Sequence, residues 1–561
     1  MIGLTYFRRS NGCSTGAGLP ALTALMALST ALCAGQAVTP TIQAGAKDLF
    51  EDSTAKAGLH FVPQFCHDRI ANIILSNGAG GAVFDYDNDG WVDVYLLNWG
   101  PKEGVTKKGM CATREPNRLF RNQGDGTFED VTERAGVGGY GFGGAAATGD
   151  FDNDGFTDLF IANLGRNQLL RNRGDGTFED VTGSAGVGHE GAGISAVFLD
   201  ADRDGYLDLY ICNYLTYKPE AESEQNPGAY PGPLAYPGEA DVFYRNQGDG
   251  TFKDVTREVG LYAPQHRGMS VSALDADRDG DTDLYISNDD TPNGLWINDG
   301  RGHFKDVGMA VGVAFNSIGE APGSMNAAVA DADGNGLPDI FVTRLGYGSL
   351  YLREEQGLYA DRMWASGLGR LTQEHVGWGG VFLDYDNDAD ADIAVVNGSA
   401  FVLPGSISLL LENNGRAHFS DASQRAGAFF GTAYNGRGNA VLDYDNDGRL
   451  DLVLTALADR AVLLRNRALD ENHWIKLRLE GVRSNRSGYG ALLTLVSGDL
   501  VLRSEAQCPV GFLMQSDARV HFGLGKRSAI DRIEILWPSG IRQVIEQPEI
   551  DQVLTVTEPR S

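Results

Sequence analysis

Short apolar runs, rich in Val, Ile, Leu, Phe and Tyr, recur along most of this chain, separated by bends of Asp and Gly. Residues 81–84 (GAVF) and 195–199 (SAVFL) precede such a bend, and residues 159–162 (LFIA) and 209–212 (LYIC) follow one. A third run comes next, as at 118–121 (RLFR), then a tight turn such as 124–127 (GDGT), then a fourth run, 128–131 (FEDV). Apolar runs of this length bounded by turn residues read as strands. Strand, acidic bend, strand, connection, strand, tight turn and strand make a four-stranded meander.

The acidic bend is a nine-residue pattern with Asp at positions 1, 3, 5 and 9 and Gly at position 6, and it occurs seven times. The first four copies place Asp85, Asp87, Asp89 and Asp93, then Asp150, Asp152, Asp154 and Asp158, then Asp200, Asp202, Asp204 and Asp208, then Asp275, Asp277, Asp279 and Asp283. The fifth has Asp331, Asp333, Asn335 and Asp339. The sixth has Asp384, Asp386, Asp388 and Asp392 with Ala389 at position 6, and the seventh Asp443, Asp445, Asp447 and Asp451. Successive copies start 50 to 75 residues apart, which suits one propeller blade per repeat. The last copy is followed by strands only up to residue 466, and residues 49–53 (LFEDS) match the fourth-strand type of 178–182 (FEDVT). An N-terminal strand completing the final blade would remove the two open edges. The expected fold is therefore all-β: a seven-bladed β-propeller of four-stranded blades over residues 44–467, closed by an N-terminal strand. A small C-terminal β-sandwich-like domain is expected over 468–561.

Carboxylates at these spacings converge from a tight turn, and a hard cation such as Ca²⁺ takes ~six to eight oxygens. Position 12, where an EF-hand places Glu, is apolar in every copy (Leu96, Ile161, Ile211, Ile286, Val342, Val395 and Leu454). These are strand-bounded loops rather than helix-bounded ones. Crowding 27 aspartates into seven small loops is costly without counterions. About seven Ca²⁺ sites are expected, the sixth the least certain because Ala389 replaces the glycine that a positive φ favours.

The repeats resemble the FG-GAP/VCBS repeats of integrin-like propellers, and residues 141–145 (GFGGA) are close to the name-giving motif. Past residue 472 the Asp pattern stops while strand alternation continues. There, 472–474 (NHW), 484–486 (SNR), 521–525 (HFGLG) and 537–540 (WPSG) resemble the ASPIC/UnbV domain. Together the two parts resemble the cartilage acidic protein family. The resemblance implies the architecture and carries no chemistry.

Composition narrows the setting. The formal net charge is -29, which argues against nucleic-acid binding. Arg8 and Arg9, followed by the apolar stretch 19–34, read as a secretory signal over residues 1–37. The stretch is shorter than a membrane span, so the mature chain is expected to carry no transmembrane segment and to be secreted or otherwise extracytoplasmic. Four cysteines remain after cleavage, Cys66, Cys111, Cys212 and Cys508, which allow three pairings. Cys66 with Cys111, flanking the first repeat, is the expected one.

Meander geometry puts the acidic loops and the GDGT-type turns on one face and the longer connections, 214–241 and 98–117, on the other. Long loops on a rigid scaffold commonly recognise partners, although 214–241 reads equally as a solvated flap. His266 and His375 each precede their acidic loop by nine residues. They would suit an axial metal or catalytic centre, or stand as isolated surface histidines. Residues 173–175 spell RGD but occupy a turn that reads QGD in two sister repeats. No nucleophile elbow, Walker loop or dinucleotide fingerprint is present. The leading reading is a calcium-binding scaffold for an extracellular protein or glycan. The alternative is an extracytoplasmic enzyme, a polysaccharide lyase or hydrolase or a biosynthetic cyclase, using the face opposite the calcium loops.

Overall fold

In every repeat the residue before the first Asp pairs with the ninth, from Phe84↔Asp93 through Leu199↔Asp208 to Leu442↔Asp451. The acidic bend is thus the closing turn of an antiparallel hairpin. The computed structural model describes residues 48–139, 141–219, 230–403, 405–468 and 471–561. The expected secretory signal, and residues 44–47 of the expected propeller, lie outside the described residues.

The first strand of each unit is largely buried on both faces because it is packed on both sides. These inner strands are Gly81–Phe84, Gly143–Gly149, Glu190–Leu199, Gly268–Leu274, Ser324–Ala330, Gly377–Leu383 and Gly436–Leu442. Each touches the next in order, and the last touches the first, so the ring closes. Outward from each runs a four-stranded antiparallel meander. The seventh borrows its outer strand from the start of the chain: Phe50–Asp52 pairs with Val462–Asn466 in the register Phe50↔Asn466. The second and third units are further joined where Gly191 pairs with Gly165.

An asparagine ending the third strand locks neighbouring units. Asn172 Nδ2 donates to Tyr86 O at 2.7 Å, and Asn122, Asn246, Asn298, Asn413 and Asn466 each reach the matching carbonyl of the preceding unit. The fifth unit has Arg353 there instead.

Residues 473–557 form two packed sheets. One comprises Val520–Gly525, His473–Glu480 and Val553–Thr557, the other Leu500–Glu505, Leu492–Ser497, Arg532–Leu536 and Arg542–Glu546. Ile475, Leu477, Leu493, Leu495, Ile533 and Ile535 fill the space between them. A hairpin leaves this sandwich and enters the ring. Met514 and Gln515 run parallel to Gly81 and Ala82 as an added strand, and Phe512, Leu513 and Met514 are wholly buried. Phe512 packs on Trp378 with ring centroids 5.3 Å apart. A Cβ at Gly80 would lie 1.8 Å from the Leu513 carbonyl oxygen, so only glycine admits the hairpin there. Beneath it the fully buried Arg437 stacks on Trp378 and donates to Ser76 O, Asn435 Oδ1, Gly436 O and Ser399 O. Burial without an anion pushes its pKa down to about 9. Propeller, hairpin and sandwich make one compact unit.

Candidate functional site: the ring of acidic loops

The loops share one backbone course. The position-1 carboxylate accepts from the N–H of position 6, at 3.0 Å for Gly90 on Asp85 and 2.7 Å for Gly155 on Asp150. The position-5 side chain accepts from the N–H of position 7, as Asp89 does from Trp91 at 3.0 Å. Position 9 joins the loop to the third strand. Asp93 Oδ2 accepts from Tyr86 N at 2.9 Å while its Oδ1 accepts from Asn122 N at 2.8 Å, and the other six repeats match. Position 6 has positive φ throughout, including Ala389 at 81°.

The carboxylates converge as the spacing predicts. Ligand atoms of Asp85, Asp87 and Asp89 lie within 4.8 Å of one another, and so do those of Asp150, Asp152 and Asp158, with comparable trios in the third, fourth and fifth loops. These clusters are able to hold a metal ion. One oxygen each of Asp87, Asp152, Asp200, Asp202, Asp275 and Asp445 is buried with no hydrogen-bond partner. Burial, reinforced by neighbouring carboxylates, lifts Asp150 and Asp200 to about 7 and Asp275 to about 6. It lifts Asp339 to about 8, Asp283 to about 9 and Asp392 to about 10, and holds Asp93, Asp158, Asp208 and Asp451 well above the usual range.

The ring is not uniform. A third-strand arginine reaches the acids of the first, second, third and seventh loops: Arg121 to Asp87, Arg171 to Asp152, Arg245 to Asp202 and Arg465 to Asp445. Ile297, Leu352 and Glu412 stand at that place in the fourth, fifth and sixth units.

Position 4 was invisible as a functional position until the structure placed it. It has positive φ in every loop, with Asn88 at 57°, Asn153 at 58°, Asn387 at 57° and Asn446 at 50°. Each of these asparagines donates from Nδ2 to the position-6 carbonyl of the next loop: Asn387 to Gly448, Asn446 to Gly90, Asn88 to Gly155 and Asn153 to Gly205. The sandwich lies directly on this arc. Lys476 Nζ sits 2.9 Å from Asp443 Oδ2, both side chains essentially unexposed, and Arg478 lies 3.3 Å from Asp85. Beside these contacts a cavity of about 920 Å³ is lined by Asp275, Asp331 and Asp384 of the loops and by Arg503, Glu505 and His521 of the sandwich, and Glu505 accepts from the Asp275 backbone N–H at 2.7 Å.

The other candidates resolve separately. Cys66 and Cys111 are disulfide-bonded, while Cys212 and Cys508 are buried free thiols. His266 is buried edge-on to Trp296, and His375 Nδ1 lies 3.2 Å from Ser406 Oγ, in different surroundings. Within the RGD turn, Arg173 pairs with Glu179 and Asp175 accepts from Thr177, as Asp125 does from Thr127 in a sister turn. Two tyrosines of the insert beginning at Tyr214 are anchored: Tyr214 Oη donates to Asp289, and Tyr230 Oη donates to Ala400 O in the sixth unit at 2.6 Å.

Comparison with known proteins agrees with this architecture. The FG-GAP-like repeat matches residues 85–161, 150–211, 234–286, 275–342 and 384–454, more than half of the chain, and the ASPIC and UnbV family matches residues 481–561. Cartilage acidic protein 1 of Xenopus tropicalis is 25% identical over 348 residues, 58% of this chain and 44% of that protein. The Homo sapiens protein is 24% identical over 356 residues, covering 59% and 44%. The matched part spans less than half the length of these relatives. Among solved structures, an Agrocybe aegerita lectin described for specific recognition of non-reducing terminal N-acetylglucosamine aligns with TM-score 0.39 and 16% identity, over 68% of this chain and 86% of its own. The chain belongs to the family of FG-GAP-repeat proteins that carry a C-terminal ASPIC and UnbV domain.

Proposed function

We propose that this chain is an extracytoplasmic calcium-binding propeller that serves as a recognition scaffold for an extracellular protein or glycan. The observation that carries the calcium reading is the set of partnerless buried oxygens on Asp87, Asp152, Asp200, Asp202 and Asp275, each inside a carboxylate cluster, with another on Asp445 of the seventh loop. Two carboxylates 4 Å apart repel by ~4 kcal/mol at an effective dielectric of 20, and a dipositive ion turns that repulsion into attraction. An all-oxygen donor set suits a hard cation rather than copper or zinc. Side chains at positions 1, 3, 5 and 9 would hold it, with the position-7 carbonyl available to add an oxygen. The ion would neutralise the hairpin bends and stabilise the ring.

The Cys66–Cys111 disulfide supports an oxidising compartment. The sandwich occupies much of the acidic-loop face, which favours the opposite face, with residues 214–219 and 230–241 of the insert, as the recognition surface; residues 220–229 of that insert lie outside the described residues. Elemental analysis of the purified mature chain, paired with melting in calcium and in chelator, tests the ion. Several equivalents of calcium and a lower melting temperature in chelator are expected. A metal-free chain with an unchanged melt, or stoichiometric copper, iron or zinc, would sink the reading. Glycan and secreted-protein binding screens in calcium then test recognition.

A further inference from the structure

The seven loops fall into two groups by sequence. The first, second, sixth and seventh read D-[YF]-D-N-D, whereas the third and fourth read D-A-D-R-D and the fifth D-A-D-G-N. The first group forms a continuous arc around the ring, and the sandwich meets every loop of that arc while also reaching the third and fourth loops through Asn485 on Asp200 and Glu505 on the Asp275 N–H. Each of its position-4 asparagines has a divided role. Its amide N–H₂ donates to the next loop, and its Oδ1 accepts from the sandwich. Arg478 Nη2 donates to Asn88 at 2.7 Å, the Arg486 backbone N–H to Asn153 at 2.8 Å and Arg519 Nη1 to Asn446 at 2.9 Å, and His521 Nε2 meets Asn387 at 2.8 Å. Four residues of the sandwich therefore meet four equivalent atoms of four loops. Charge favours the same seat: residues 472–561 hold 11 Lys and Arg against 10 Asp and Glu, while the whole chain holds 46 against 75.

We propose that cation loading of the D-[YF]-D-N-D loops latches the sandwich onto the propeller, with Asn88, Asn153, Asn387 and Asn446 as the relay. The inference rests on the calcium reading above. The position-4 backbone is left-handed between two ligand carboxylates, so its course depends on the loop keeping its shape. A loaded loop holds the amide aimed at both partners. An unloaded loop, with its carboxylates repelling one another, lets the amide turn away. Because each amide also grips the next loop, release in one loop weakens its neighbour, and the seat loosens along the arc.

The test is hydrogen–deuterium exchange of the full mature chain carrying Asn88→Gly, Asn153→Gly, Asn387→Gly and Asn446→Gly together. Glycine keeps the positive φ and removes only the amide. At saturating calcium, strands 473–480 and 520–525 are expected to exchange at least tenfold faster than in wild type. Bound calcium per chain and protection of the inner blade strands should be unchanged. In wild type, chelator should deprotect the same strands before the blades. Asn153→Gly alone, should the fourfold variant fail to fold, should speed exchange around Arg486 by a smaller factor. Wild-type protection in the variant, or chelated wild type losing sandwich and blades together, would overturn the latch while leaving calcium binding intact. Wild type without bound calcium would overturn the underlying reading as well.

Discussion

Replacing Phe512 by alanine asks whether ring and sandwich are one thermodynamic body. Phe512 is wholly buried at the tip of the inserted hairpin and packs on Trp378. Truncating a buried phenylalanine costs about 3–5 kcal/mol, the aromatic contact included. The effect on melting depends on how much chain unfolds with it. Unfolding entropy is about 2.1 cal/mol/K per residue, so a unit taking in propeller, hairpin and sandwich has an entropy of roughly 1.1 kcal/mol/K. The melting temperature should then fall by only about 3–5 °C, in a single transition whose enthalpy belongs to the whole chain. Were the sandwich an independent domain of about 90 residues, the same loss would act on an entropy of roughly 0.2 kcal/mol/K. It would lower that domain's own transition by about 15–25 °C and leave the propeller's untouched. Scanning calorimetry of Phe512→Ala in calcium separates the two. Two transitions, one displaced and one fixed, would refute the claim that the hairpin fuses the parts.

Three further outcomes follow from the geometry. Asn172→Ala removes the donor to Tyr86 O and Thr157 O inside the ring; leaving buried carbonyls unpaired should cost about 2–3 kcal/mol in denaturant titration. Ala389→Gly relieves a left-handed alanine at φ 81°, worth about 1 kcal/mol, so the sixth loop should bind calcium several-fold tighter by calorimetric titration. In calcium-free protein the acids Asp150, Asp200 and Asp275 stand at about 7, 7 and 6 because they are buried, above an unfolded value near ~3.9. The folded state then holds more protons than the unfolded state within that window, so stability falls as pH rises through it. Melts of the stripped chain should be higher at about pH 5.5 than at about pH 7.5, and calcium-loaded protein should not show this gain on acidification.

Much of the fold was legible in the residues. The period of the Asp pattern and the kinship of residues 49–53 with 178–182 were enough to expect a ring closed by its own N-terminus. The acid convergence was legible too, because fixed spacing across a tight turn leaves few other arrangements. What escaped was how the C-terminal part engages the ring. Phe512, Leu513 and Met514 sit beside Pro509 and Gly511, and nothing local says that the ring will receive them. Gly80 reads as one turn glycine among many, and only the Leu513 carbonyl above it explains it. Asn88 and its counterparts could be read as turn formers, which they are, but the donor to the Asn88 side-chain oxygen, Arg478 Nη2, lies 390 residues away. His266 and His375, conversely, stood out by spacing alone and occupy unrelated surroundings.

The outer strand of the last unit comes from residues 50–52, and its partner is not made until residue 466. Ribosomes add roughly 5–20 residues per second, so the first strand waits roughly 20–80 s, edge unpaired, for its mate. Units already synthesised must meanwhile stack as an incomplete arc with two sticky ends. Circularity is therefore an event late in biogenesis, and the segment carrying Phe512 emerges later still. A chain halted before residue 466 would leave an open template for other strands, which makes truncation a route to aggregation rather than to a smaller working protein.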